Sequence, residues 1–334
     1  MHAALASHDP RNFWQSARRL RQLLVQSVEQ SRGDSILLSG GLDTSIIAAI
    51  ASRSNPHLQA FTVLLKDFPS PDLQYSTLVC SKLCLGQEII QASLDDIENS
   101  LPEVITTLGS FDPMEIRNSV AVFLGLKRAQ SRGYSRILTG DAADELFAGY
   151  SFVKNLQKEE ALLKLYHLWK VMHFSSMPLA RSLGIVVLLP FLDPDVKTFA
   201  TTEIPFEFLV GRNETSGSDE LFGKFILRKA FEDSLPPEIV WRTKTPIEFG
   251  SGTTYLPKIY SSKISSGEFD EKKKIYLERD HVRLRDPEQL HYYEIYRKSL
   301  GVPAPDFSKR TCPACASNVP VSADFCTICG EYPI

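Results

Sequence analysis

The run Ser35–Ala51, SILLSGGLDTSIIAAIA, constrains this chain most: a short apolar segment breaks at Gly40-Gly41 and resumes at once with helical spacing. An apolar run without polar alternation suits a strand buried on both faces of a parallel sheet. The same alternation continues on either side. A helix is expected over 11–30, ending near Gly33, then a strand at 35–38 and a helix from about Asp43. Further strands are expected at 58–65, 87–91 and 135–140, with helices at 71–84, 93–108 and 113–131. Residues 151–300 read as mostly helical, with one strand-like run at 184–190 and a polar, mobile loop at 211–220. The lysine-rich stretch Asp270–Lys274 reads as an exposed helix start or loop. The expected fold is therefore α/β: a parallel sheet flanked by helices, with a helical C-terminal half. In such sheets ligands gather at the carboxyl ends of strands, here after Leu38 and after Leu138.

Two successive glycines between strand and helix can serve only as a tight turn, or can aim consecutive N–H groups at a phosphate beside a helix N-terminus. Ser39, Thr44 and Ser45 add hydroxyl donors, whereas Asp43 is unsuited to a bare phosphate and suits one bridged by Mg²⁺. The turn lacks the Gly-Lys-Ser/Thr ending of the nucleoside-triphosphatase phosphate loop, which argues against γ-phosphate transfer of that kind. At the second strand end, TGDAADELFAGY (139–150) brings Asp141, Asp144 and Glu145 together. These acids could be an ordinary helix N-terminus, but their mutual repulsion is relieved more directly by a cation.

The pattern S-G-G-x-D-[ST]-S resembles that of the PP-loop ATP pyrophosphatases. The second stretch resembles the signature of the asparagine synthetase B type synthetase domain, shared with β-lactam synthetase. SPDLQYS (70–76), VVLLPFLDPDVKTFA (186–200) and FGKFILRKAFEDSLPPEIVWRTKTPIEFGSG (222–252) agree in order and spacing, so the resemblance covers about residues 15–255. It implies an ATP-dependent carbon–nitrogen ligase that adenylates a carboxylate, releases pyrophosphate and admits ammonia or another amine. Carried over by position, Ser39, Gly40, Gly41, Asp43, Thr44 and Ser45 form the pyrophosphate loop, with Asp43 and Asp144 as Mg²⁺ ligands. Leu38, Val63, Thr139 and Gly140 line the adenosine site. Asp141 becomes a base in amide formation, Lys244 stabilises phosphate charge, and Arg117 lies near the phosphates or the acyl substrate.

The chain departs from that pattern in places. Glutamine-dependent relatives expose a cysteine after Met1, where this chain has His2, and only about 30 residues precede the loop strand. Glutamine hydrolysis by that route is not expected, so nitrogen would come from ammonia, a separate glutaminase subunit or another amine. Ala142 stands where the motif has glycine, restricting the backbone. Asp141 is shorter than the glutamate of some asparagine-forming members, so aspartate is one candidate acyl substrate among related acids.

The tail carries Cys312-x-x-Cys315 and Cys326-x-x-Cys329, the spacing of a tetrathiolate Zn²⁺ site in a short zinc ribbon. The expected organisation is a synthetase-like region over 1–301, a linker over 302–310 and a zinc ribbon over 311–334. The ribbon could be a stability or assembly module, or a docking surface for a protein or RNA. Cys80 and Cys84 are expected to be core residues rather than a redox pair. The net charge of −3 gives no general attraction to nucleic acid, so a tRNA-modifying adenylating enzyme is the less favoured alternative, and an idle nucleotide-binding scaffold is disfavoured by the intact acids. With no apolar run long enough to span a membrane and no secretory pattern at the start, a cytoplasmic setting is the default expectation.

Overall fold

The structure, a computed structural model, describes residues 10–213, 219–306 and 308–334. The start of the chain around His2 and the middle of the loop expected at 211–220 lie outside the described residues. Five parallel strands, β1 (Ser35–Leu37), β2 (Gln59–Leu65), β3 (Gly86–Ala92), β4 (Arg136–Leu138) and β5 (Val186–Leu188), form one sheet in the order β3-β2-β1-β4-β5. β1 is central, with Ser35 opposite Gln59 of β2 on one side and Ile137 of β4 on the other.

Side chains alternate across this sheet with the period of two that a strand dictates. Ile36, Leu38, Ala60 and Leu138 face one core with helices α1 (Pro10–Ser31), α2 (Leu42–Ser54) and α3 (Asp72–Leu83). Leu37, Phe61, Leu65 and Ile137 face the other, with α4 (Leu94–Leu108) and α5 (Pro113–Ser131). Burial on both faces is the reason β1 carries no polar alternation. The amphipathic pattern of α1 is met by Ala17, Leu20, Leu24 and Val28, all buried.

The parallel α/β architecture is as expected, and three local differences are instructive. Cys80 is buried, but Cys84 is exposed: it terminates α3 in the left-handed conformation (φ 54°), which turns its side chain away from the helix face that packs. Asp270–Lys274 lies inside the helix Ser266–Asp280, whose N-cap Ser265 accepts from Glu268 N. A short antiparallel hairpin, β6 (Val210–Arg212) with β7 (Leu221–Gly223), brackets the polar loop. Among the described residues no helix is long and apolar enough to cross a membrane.

Candidate active site

The two strand ends named above meet at the carboxyl edge of the sheet. Leu38 N donates to Phe61 O (2.8 Å) and Leu38 O accepts from Thr62 Oγ1 (2.8 Å), after which the chain turns sharply into α2. Gly40 makes that turn at φ +70°, and a Cβ there would lie 2.3 Å from Ser76 N of α3. Asp43 therefore enters the first turn of α2 beside Ser39 and Thr44, whose hydroxyls are 3.4 Å apart. Ser45 is buried, and its Oγ has no hydrogen-bond partner.

On the neighbouring strand, Thr139 N donates to Leu188 O, and the chain reverses through Ala142 at φ 76° into the short helix α6 (Ala143–Leu146). Asp141 Oδ2 accepts from Thr139 Oγ1 (2.9 Å) and Ser176 Oγ (2.5 Å), while burial pushes its pKa above the ordinary carboxyl value. Glu145, also raised by burial, accepts from Tyr150 OH (2.6 Å). Gly149 leaves room for the acid: a Cβ there would fall 2.0 Å from Asp144 Oδ1 and 2.2 Å from Lys224 Cε.

Two lysines close the site from the C-terminal half. Lys224 Nζ lies 2.5 Å from Asp43 Oδ2 and 2.7 Å from Asp144 Oδ1. Asp43 Oδ1 is buried without a hydrogen-bond partner, whereas Asp144 Oδ1 is met by the Lys224 ammonium. Lys244 Nζ lies 2.6 Å from Asp144 Oδ2. Burial works against the charge of Asp144, but Lys224 and Lys244 outweigh it and hold the carboxyl below its ordinary range. Asp43 shifts the other way: burial raises it more than Lys224 lowers it. For Lys244 burial is likewise overcome, by Asp144 and Asp43, and its ammonium is held more firmly than usual. Arg242 pairs with Asp72 (2.7 Å), donates to Ser39 O (3.2 Å) and stacks over Tyr75. Arg228 is buried and donates to the carbonyls of Gly223, Val240 and Arg242; burial lowers it to about 10.

These groups surround a small cavity of about 80 Å³ that Ser39, Gly41, Asp43, Thr44, Lys224 and Lys244 help to line. Gly40 faces α3 instead, and Leu38, Val63, Thr139, Gly140 and Ser45 stand at the same sheet edge without lining the cavity. Arg117 is engaged elsewhere, with Glu248 Oε2 (2.8 Å) and Glu288 Oε2 (2.6 Å). Sequence reading missed Lys224, Asp72, Arg228 and Arg242. Asp72 lies in SPDLQYS and the three basic residues in FGKFILRK and WRTK, segments that carry the resemblance but in which nothing local singles these residues out.

The four tail cysteines are buried, with every Sγ within 4.8 Å of the others. Cys312 Sγ and Cys329 Sγ are 3.6 Å apart, Cys315 Sγ and Cys326 Sγ 3.7 Å. A tetrahedron with Zn–S near 2.3 Å has sulfur–sulfur edges of about 3.8 Å, so the donor set fits that ion.

A glycine turn at the carboxyl edge of a parallel sheet, faced by two carboxylates and two lysines, defines the class: a parallel α/β protein with its candidate site at the strand ends. The family model for asparagine synthase matches residues 19–182 and 177–291, and the chain belongs to that family. It is 29% identical over 257 residues to a probable asparagine synthetase [glutamine-hydrolyzing] of Schizosaccharomyces pombe, covering 66% of this chain and 44% of that protein. It is 29% identical over 261 residues to asparagine synthetase B [glutamine-hydrolyzing] of Escherichia coli, covering 71% of this chain and 45% of that one. The chain thus spans less than half the length of these relatives. Among solved structures, an NMN synthetase from Francisella tularensis aligns with a TM-score of 0.38 at 14% identity, over 86% of this chain and 93% of that chain.

Proposed function

We propose that the chain is an ATP-dependent amide-forming ligase. A substrate carboxylate attacks the α-phosphorus of ATP, pyrophosphate leaves, and ammonia or another amine then attacks the acyl-adenylate, releasing AMP. The observation that carries this reading is the convergence of Asp43 and Asp144 with Lys224 and Lys244 on the glycine turn. The backbone N–H groups of that turn cradle the pyrophosphate, with Ser39, Thr44 and Ser45 as hydroxyl donors. Leu38, Val63, Thr139 and Gly140 hold the adenosine. Lys224, Lys244 and Arg242 stabilise charge that develops on the departing group.

Asp43 keeps one buried oxygen without a hydrogen-bond partner, and both Asp43 and Asp144 meet the same Lys224 ammonium, so the two carboxylates converge on one cation position, a donor set that suits Mg²⁺. When bound there, the ion would neutralise phosphate charge. Asp141, its proton affinity raised by burial and its orientation fixed by Thr139 and Ser176, takes the proton from the attacking amine. Arg117 acts through its ion pairs rather than by touching substrate. A second, open groove of about 670 Å³ shares Lys244 and Thr245 with the cavity and is lined also by Pro69, Pro71, Pro246, Phe249 and Tyr255. Its lining holds one charged side chain, Lys244, which favours an acid with an apolar body over aspartate.

The test is a product assay: purified protein, Mg²⁺-ATP, ammonia and a panel of carboxylates, with AMP and ADP separated by chromatography. AMP and pyrophosphate formed only with one acid are the expected result. ADP as the product refutes adenylation, and turnover only with added tRNA moves the reading to a nucleic-acid substrate.

A further inference from the structure

The cysteine-rich tail does not hang free. Its second knuckle presents backbone carbonyls to the body of the protein. Phe111 N donates to Ile328 O (2.7 Å) and Ser110 Oγ to Thr327 O (2.9 Å). Arg285 donates to Gly330 O (3.0 Å) and Cys329 O (3.1 Å), and Gln289 Nε2 to Cys329 O (2.8 Å). The first knuckle accepts from Arg283 N through Ala314 O (2.7 Å). The four cysteines share a core with Phe111, Tyr293 and Tyr296.

These anchor points lead toward the cavity. Asp112, next to Phe111, N-caps α5, the helix that carries Arg117 and Asn118. Gln289 adjoins Glu288 on the helix Pro287–Leu300, and Glu288 holds Arg117. Arg117 in turn holds Glu248, whose backbone N–H donates to Asn118 Oδ1 (3.0 Å). Glu248 belongs to the helix Ile247–Ser251, whose first residue lines the cavity. The last residue of that helix accepts from Ser70 Oγ (2.8 Å), two positions before Asp72 and its partner Arg242. Every link is a hydrogen bond, an ion pair or a covalent neighbour.

We propose that the tail binds one zinc ion through Cys312, Cys315, Cys326 and Cys329, and that the loaded knuckles act as a brace positioning the Ile247–Ser251 helix at the cavity mouth. The metal fixes the shape of the carbonyl-bearing loops, because chelate rings close each Cys-x-x-Cys turn. Those loops fix the start of α5 and the helix that carries Glu288, and the Arg117 pair passes the constraint to Glu248. Arg283, Arg285 and Gln289 are positioning residues in this scheme, remote from any substrate. The inference rests on the ligase reading only for what the mouth admits. Its test needs no turnover, so the two can fail separately.

The test uses the full chain. Elemental analysis is expected to give one zinc per chain. A chain that stays folded with reduced cysteines and no zinc overturns the metal site. The second arm is the double variant Arg285→Ala/Gln289→Ala, which leaves all four thiolates in place. Hydrogen exchange in peptides spanning 110–118 and 247–252 is expected to quicken roughly tenfold with zinc retained, while 35–54 keeps its wild-type rates. Unchanged exchange at 247–252 overturns the brace. A uniform rise across the chain overturns it too, because the tail would then be a general stabiliser rather than a local one.

Discussion

Lys224 Nζ rests 2.5 Å from Asp43 Oδ2, an ion pair that joins residues 181 positions apart. It ties the hairpin β6–β7 to the first turn of α2 and places a nearly solvent-free ammonium among acids that would otherwise repel one another. Lys224 itself sits at φ 56°, a left-handed conformation that a lysine adopts only under tertiary constraint.

Lys224→Met removes one of the two counter-charges and leaves Asp43 facing Asp144 without its ion-pair partner. The expected loss is about 3 kcal/mol in the unfolding free energy, read by denaturant titration. Added Mg²⁺ is expected to recover part of that loss. A variant as stable as wild type would remove the charge-balancing role.

Asp141→Asn separates the two chemical steps. Acid-dependent exchange of labelled pyrophosphate into ATP is expected to persist, with amide formation lowered by roughly 10²–10⁴. Equal loss of both steps would place Asp141 in adenylation.

Gly149→Ala tests the close approach behind Asp144. A methyl group 2.0 Å from Asp144 Oδ1 must displace the carboxylate or Lys224, with an expected cost of about 1–3 kcal/mol. Nucleotide affinity, measured by calorimetry, is expected to fall with it. Unaltered affinity would show that the acid can move without consequence.

Glu288 carries the clearest pH signature. Burial raises its pKa from 4.5 to about 7, despite the opposing pull of Arg117 and the hydrogen bond from Tyr292. Below 4.5 both folded and unfolded chains hold this proton. Between 4.5 and 7 the unfolded chain releases it while the folded chain retains it, so stability falls as pH rises through that window. Relative to Glu288→Gln, the wild type is expected to lose about 3 kcal/mol between pH 4 and pH 8. Parallel stability curves for the two proteins would contradict the shift.

Much of the sheet was legible in the sequence because burial on both faces leaves β1 and β2 as short, mostly apolar runs between turn residues. The helices α4 and α5 were legible as the spans 93–108 and 113–131, and the structure adds their caps, Ser93 and Asp112. The hairpin β6–β7 was not, since two three-residue strands around a polar loop carry no periodicity. Lys224 was missed for a related reason: its meaning comes from Asp43 and Asp144, and nothing local to FGKFILRK marks a buried ammonium. Ala142 was expected to restrict the backbone, and it occupies φ 76°, the region glycine would enter without strain. The apparent promise of Arg117 as a ligand-facing residue came from its motif, whereas its partners, Glu248 and Glu288, lie 131 and 171 positions away.

The mode of attachment of the tail carries a consequence for its sequence. The hydrogen bonds from Arg285, Gln289, Ser110 and Phe111 all go to peptide oxygens of residues 327–330. Thr327 can therefore be exchanged for other residues without loosening those bonds, as long as the cysteines keep the loop in shape, whereas Ile328 also packs against the core and must stay apolar. A tail transplanted from an unrelated protein should dock in the same cradle if it keeps the loop shape, an apolar residue at 328 and the glycine at 330, where a Cβ would lie 2.2 Å from Asp112 Oδ1.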